Sequence, residues 1–389
     1  MGQRSLVSIV KTAGHGPEEI EAATRQAILR VGGLEGLFGT KDLVLIKPNL
    51  VATPPHRLNG AVTRWEVCKA IADLVREAGG KAVIADSAAV GSDTEKVMEA
   101  TGYLKLREKG YEVVDLKSRP RVMRTIPHGK VLQEVTTFDL VEEAKAIISV
   151  PVMKTHDQTE ITLALKNLKG LVDDREKRRL HQEGVQQGVL DLYQAFRPAL
   201  AVVDATFAQE GLGPVHGRTL EMNLIIAGKD LVAVDAMAGR VMGFDPEEVL
   251  ITRWGAERGL GVMDLDGIDL VGEPWQGVRR RFMRLEEDKR VQVEGLRILH
   301  AQGSCTGCRN TVLSALFDMK KANQLQYLQG LTIITGPEVE VPPDVSSEQL
   351  IAVGVCVSKD RRGKRFVSGC PPNNAWVVEE IVRGRKKEA

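Results

Sequence analysis

Short apolar runs alternate with stretches of helical period over residues 1 to about 275, and this alternation limits the fold more than any other feature of the chain. The runs are Leu43–Lys47, Ala82–Asp86, Val113–Leu116, Ala146–Val150, Leu200–Asp204 and Asn223–Ala227. Between several of them, Trp65–Ala78, Ile161–Val172 and Leu231–Met242 place apolar residues at helical spacing. Apolar strands separated by helices predict an α/β fold, doubly wound around a mostly parallel sheet. A chain of 389 residues is long enough for more than one domain. The pattern changes near Pro274, where the densely charged segment Arg279–Arg290 follows. Its acidic residues Glu286, Glu287 and Asp288 offset much of the basic charge, which predicts a solvated linker or exposed helix. The expected division is therefore a large α/β domain over 1–275, a linker over 276–295, and a smaller α/β domain over 296–389. In the last, strands are expected at Arg297–Ala301, Leu331–Thr335 and Leu350–Val357, with helices at Thr311–Ala322 and Asn374–Arg383.

The cysteines are unevenly placed. Of five, four lie after residue 300, as Cys305-Thr-Gly-Cys308, Cys356 and Cys370-Pro371. On the strand assignment, each follows or ends a strand of the small domain. If that sheet is parallel, all four meet at its C-terminal edge, where α/β ligand sites form. Four thiolates can hold a [4Fe–4S] cluster or a tetrahedral Zn²⁺. Zinc ribbons usually carry two close CxxC pairs, whereas thirteen residues separate Cys356 from Cys370. A proline directly after the last cysteine recurs in ferredoxin ligand runs, and Gly303, Gly307 and Gly369 allow backbone N–H groups to approach cluster sulfurs. A redox dithiol at Cys305 and Cys308 is a competing assignment, as is plain apolar packing of all four. Cys68 shares an apolar helix face with Trp65, Ile71 and Val75, so its expected role is packing.

The large domain offers a polar crest. Lys154 and His156 follow the run Ala146–Val150. If Ile161–Val172 is one helix, Thr162, Lys166 and Lys169 share a face at i, i+4 and i+7. A strand end followed by cations at a helix start suits an anion; a solvated face with idle lysines is the competing assignment. Other run ends add Lys47, Asn49 and Asp204, and Glu210 opens the loop Glu210–Gly217. Lys47, Asn49, Lys154, His156, Lys166, Asp204 and Glu210 are thus expected around one cleft for a small anionic substrate or cofactor. Lys154, His156 and Glu210 are its candidate catalytic groups, with His156 or Glu210 for proton transfer. Lys47, Asn49, Lys166, Lys169 and Asp204 are the candidate binding groups. The loose glycine pattern after Glu210 precedes a strand, not a helix, so it is no dinucleotide fingerprint. Asp230 is expected to cap the helix beginning at Leu231, and Asp235 to serve structure.

A net charge of +1 and 4% aromatic residues argue against nucleic acid as a partner. No apolar run is long enough to cross a bilayer. The start of the chain, MGQRSLVSIVKTAG, lacks the apolar core of a signal peptide. A cytoplasmic, reducing compartment is the resulting expectation, with no membrane partner.

IKPNLV (Ile46–Val51), PVMKTHDQTEITLALKNLKGLV (Pro151–Val172), DATFAQEGLGPVHG (Asp204–Gly217), KDLVAVDAMAGRVMG (Lys229–Gly243) and GLGVMDLDGIDLVGE (Gly259–Glu273) together resemble the family of domain of unknown function 362. The resemblance spans about residues 5–273. It implies association with iron–sulfur chemistry, since many members append a ferredoxin-like module. Here the appended cysteines depart from the compact CxxCxxCxxxCP run and are spread over Cys305–Cys370. The expected function is an iron–sulfur redox enzyme, an oxidoreductase, or a redox accessory acting on a small anion. One alternative is a non-catalytic electron-transfer protein with a redox protein partner. Another is a non-redox isomerase or lyase with a structural cluster or zinc, because the Lys- and His-bearing crest is similar to nickel-cofactor lactate racemases, though without a full motif set.

Overall fold

A computed structural model describes residues 4–386. The start of the N-terminal segment, residues 1–3, lies outside the described residues. The chain divides into two compact units. The larger comprises Met1–Thr155, Ile161–Lys177 and Gln186–Phe282. The smaller comprises His156–Glu160, Arg178–Val185 and Met283–Ala389. Two short excursions of the N-terminal sequence thus belong with the small unit, a partition that linear patterning cannot express.

The large unit is built on one mixed sheet. Its strands are β1 (Ser5–Lys11), β2 (Leu43–Pro48), β3 (Lys81–Asp86) and β4 (Glu112–Asp115). A separate antiparallel hairpin, β5 (Arg121–Thr125) and β6 (Glu134–Phe138), precedes β7 (Ala146–Val150). Then come β8 (Val152–His156), β9 (Glu160–Thr162), β10 (Leu200–Glu210), β11 (Arg218–Gly228) and β12 (Ile268–Gly272). The sheet order is β12-β1-β11-β10-β7-β2-β3-β4, with β8 and β9 paired off this path. The run from β10 to β4 is parallel, and β11 lies antiparallel to both β10 and β1. Strands β2 and β7 are buried along almost their whole length, which is why they are continuous apolar runs and do not alternate.

The helix Trp65–Glu77 packs Val67, Cys68, Ile71 and Val75 into this core. Cys68 is fully buried, and burial pushes its thiol up to about 12. It is an inert packing residue, as its helix face predicts. The helix Leu231–Met242 starts at Asp230, whose Oδ1 accepts from the N–H groups of Val232 and Ala233 at 2.9 and 3.1 Å.

The stretch 161–172 is not one helix. Glu160 sits in the left-handed region (φ 64°), and Thr162 ends β9. A short helix, Ala164–Asn167, follows, and then a 3₁₀ turn, Leu168–Leu171. Asp235 decides where that helix starts. It is buried, and its two carboxylate oxygens accept from the N–H groups of Ala164 (2.7 Å) and Leu165 (3.1 Å). Thr162, Lys166 and Lys169 therefore share no helical face. Lys154 and His156 also differ from expectation: they lie within β8 and do not follow a strand.

The small unit carries a parallel four-stranded sheet in the order β13-β14-β15-β16. These strands are β13 (Arg297–His300), β14 (Thr332–Thr335), β15 (Leu350–Val353) and β16 (Arg365–Val367). The last is too short to show a period in sequence. The helices Gly307–Lys321 and Asn374–Lys386 supply Val312, Leu316, Val377 and Ile381 to a core with Ile333, Ile351 and Val353. The charged stretch before this sheet forms two 3₁₀ turns, Leu285–Glu287 and Lys289–Val291, with Phe282, Leu285 and Val291 turned inward.

Candidate functional site

The small unit gathers all four late cysteines at one edge of its sheet. Cys305 follows β13, and Cys308 lies in the first turn of the helix Gly307–Lys321. Cys356 follows β15 by a short turn, and Cys370 follows β16. Because the sheet is parallel, these are all C-terminal strand ends. The thiols are close enough to shift one another's proton affinity. A hydrogen bond to Cys356 and burial hold the Cys370 thiol well above its ordinary range, and the charges of Cys356, Cys308 and Cys305 add to this. The same bond lowers Cys356 to about 6, because the Cys370 S–H stabilises the neighbouring thiolate. Burial raises Cys308, with Cys305 and Cys356 contributing. Cys305 and Cys356 are exposed, Cys370 is half-buried and Cys308 is buried.

The support around this edge is specific. Cys370 N–H donates to His181 O (3.0 Å), and Val185 N–H donates to Cys370 O (2.8 Å). Gln158 Nε2 donates to Pro372 O at 2.9 Å. Gly354 has φ 98°, and any Cβ there would overlap Cys308 Sγ. It is a residue that motif reading missed, and its only signal was its place two residues before Cys356. Asn310 Nδ2 donates to Glu160 Oε1 at 3.2 Å, and the Glu160 carboxylate adds to the forces that keep Cys305 protonated. Among the described residues, no group of three or more His, Cys, Asp or Glu side chains is placed to hold a metal ion. His156 belongs to this unit, buried, with its Nδ1 2.9 Å from Asp157 Oδ1 and accepting from Gln158 N–H at 3.0 Å.

The crest of the large unit is a separate arrangement. Lys47, at the end of β2, is buried and has three oxygen acceptors: Pro48 O (2.7 Å), Asn167 Oδ1 (2.8 Å) and Asp86 Oδ1 (2.8 Å). Lys154, on β8, is fully buried and has three as well: Asn49 Oδ1 (3.1 Å), Ala61 O (2.5 Å) and Pro214 O (3.1 Å). Lys177 repeats the pattern with Ser87 O (3.2 Å), Ala88 O (2.7 Å) and Asp174 Oδ1 (3.0 Å). Burial, then the nearby charges of Lys166 and Lys47, push Lys154 well below the ordinary lysine range. Three acceptors pull the other way, since only an ammonium has three N–H donors. With all three acceptors in place, Lys154 is an ammonium. Lys47 and Lys154 thus spend their donors on the protein.

The other crest candidates divide. Lys166 is buried near Lys154, and Lys169 is half-buried on the 3₁₀ turn. Asp204 does not end its strand. It lies within β10 beside a bulge, where Oδ2 accepts from Arg64 N–H (2.8 Å) and Oδ1 accepts from Thr206 N–H (3.0 Å) and Oγ1 (2.7 Å). Its carboxylate stabilises the bulge. Glu210 closes β10, buried, with Arg218 Nη1 3.9 Å from Oε1. Gly170 was not among the sequence candidates. A methyl group at Gly170 would overlap both Asp86 Oδ1 and Lys47 Nζ, so only glycine fits against that pair.

Fold and matched segments define a class before any activity. This chain belongs to the family described as domain of unknown function (DUF362), whose model matches residues 44–240. It is similar to the thylakoid-associated protein sll1697 of Synechocystis sp., at 30% identity over 257 residues, covering 62% of this chain and 76% of that protein. Among solved structures it is similar to the lactate racemase apoprotein from Thermoanaerobacterium thermosaccharolyticum, with a TM-score of 0.40, 11% identity, and coverage of 86% of this chain and 69% of that one. The family match falls mostly in the large unit, includes the two short segments that belong with the small one, and stops short of the four cysteines. Among the described residues, no helix is long and apolar enough to cross a membrane.

Proposed function

We propose that this protein is an iron–sulfur redox accessory whose small unit holds a [4Fe–4S] cluster through Cys305, Cys308, Cys356 and Cys370. The observation that carries this reading is the convergence of the four thiols at the C-terminal edge of one parallel sheet. Thirteen residues separate Cys356 from Cys370, whereas zinc ribbons usually carry two close CxxC pairs, so the spacing suits a cluster better than Zn²⁺. When bound, the cluster would supply a one-electron couple. The protein's own part is to set the sulfur positions, through Gly354 under Cys308 and the backbone clip on Cys370. Exposure of Cys305 and Cys356 favours electron exchange with a redox protein partner over chemistry in a closed pocket. The lysines of the large unit would attract a small anionic substrate or cofactor through their field, with Lys166 and Lys169 as its binding groups. An oxygen-sensitive cluster also suits the reducing cytoplasm.

Anaerobic purification followed by iron and sulfide analysis and electron paramagnetic resonance tests the reading. About four irons per chain are expected, with a reduced-state signal that Cys370→Ala abolishes. Stoichiometric zinc without iron after anaerobic reconstitution would overturn it.

A further inference from the structure

The large unit carries a recess lined by none of the residues assigned above. It has a volume of about 430 Å³ and is lined by His128, Lys130, Gln187, Gln194, Trp254, Glu257 and Arg258. That volume falls among small-molecule sites, which run to about 300–1,000 Å³.

Its floor is a closed polar network. Asp191 is fully buried and accepts from the N–H groups of Lys130 (3.0 Å), Val131 (2.8 Å) and Leu132 (3.0 Å), and from Arg258 Nη2 (2.8 Å). Arg258 Nη2 also donates to Gln194 Oε1 at 3.0 Å, and Nη1 donates to Gln187 Oε1 at 3.2 Å. The network ties the loop between β5 and β6 to the helices Val185–Phe196 and Leu250–Glu257, and its one cation and one anion cancel. A structural tie needs nothing more. The rim, however, adds groups that the tie does not use. Lys130 and His128 are exposed, and among the described residues neither side chain has an ion pair or hydrogen-bond partner. Trp254 is the aromatic residue among those lining it. Glu257 is 3.5 Å from Arg253, which offsets its charge.

His128 supplies the second observation. Its backbone is left-handed, with φ 62°. Glycine would adopt that conformation without strain, whereas a residue with a Cβ does so at a cost. Strain held at a recess rim is a marker of use. The strained loop brings His128 and Lys130 to the same recess as Trp254.

We propose that this recess binds a small molecule made of a flat ring and an anionic head. The ring lies against Trp254, and the head, a phosphate or a carboxylate, is held by Lys130 and His128. Glu257 is positioned to accept from a hydroxyl or amino group of the ring system.

Isothermal titration of the full chain with adenosine 5′-monophosphate and, separately, with benzoate tests the site and its head group. Saturable binding of the first alone assigns a phosphate, of the second alone a carboxylate, and of both an unselective anion site. Lys130→Ala and His128→Gly are each expected to weaken binding about fivefold or more. His128→Gly is informative because it fits the left-handed backbone, so its loss of affinity is not a folding defect, and a melting temperature at or above wild type confirms that. Absence of saturable binding by both ligands at millimolar concentration overturns the proposal. So does binding that neither substitution changes.

Discussion

Lys47 Nζ and Asp86 Oδ1 lie 2.8 Å apart with side chains only 2% and 3% exposed, at the ends of the adjacent parallel strands β2 and β3. Gly170 leaves room for the pair by having no side chain. Asp86 also accepts from Leu50 N–H (2.7 Å) and Ser87 N–H (2.8 Å), so one carboxylate organises the turns after both strands. The crest is therefore held together by a buried ion pair whose every polar atom near the junction is in use.

Removing half of such a pair costs more than the pair contributes. Asp86→Ala strands a buried ammonium and is expected to lower the unfolding free energy by about 3–5 kcal/mol. Gly170→Ala forces a methyl group into the same junction and should cost about 1–3 kcal/mol. Denaturant midpoints with unchanged slopes measure both; a neutral Gly170→Ala would refute the close approach.

Lys154 is expected to behave as a structural cation. Lys154→Met leaves Asn49 Oδ1, Ala61 O and Pro214 O without a donor, at about 1–3 kcal/mol for each buried acceptor that water cannot reach. Thermal unfolding should show the loss in the absence of any substrate. A stable Lys154→Met protein would mean that the three contacts hold nothing.

Asp235 should give stability a pH dependence of known sign. Burial raises its carboxyl from 3.8 to about 7, against the pull of its two N–H donors. A folded-state value above the unfolded one means that the folded chain binds the extra proton. Its contribution is therefore complete below about pH 4 and is lost as pH rises towards about 7. Urea midpoints measured between pH 4 and 8 should fall across this window in wild type relative to Asp235→Asn. Parallel curves for the two proteins would rule the titration out.

The cysteines should separate by reactivity in the metal-free chain. Cys305 and Cys356 are exposed, whereas Cys68 and Cys308 are buried. Timed alkylation with mass mapping is expected to label the first two first and Cys68 only on unfolding. Cys68→Ala should lower stability without changing iron content, and Gly354→Ala should lower iron content by displacing Cys308. Early labelling of Cys68 would contradict its place in the core.

The four-cysteine set, the strand-and-helix alternation and the cap at Asp230 were legible in the sequence because each rests on local spacing. Buried parallel strands have to be apolar along their length, and a cap has to sit one residue before its helix. Spacing failed at 161–172, where a side chain distant in sequence, Asp235, starts the helix at Ala164 and so takes Thr162 off the expected face. It failed again at Lys47 and Lys154, since a lysine in a list of candidates carries no sign of whether its three donors are free. The sequence by itself determined the α/β class and which four sulfurs could meet. Only the tertiary structure decided which charges are already spent, because hydrogen-bond partners such as Asp86 with Lys47 or Ala61 with Lys154 come from segments that meet only when the sheet closes.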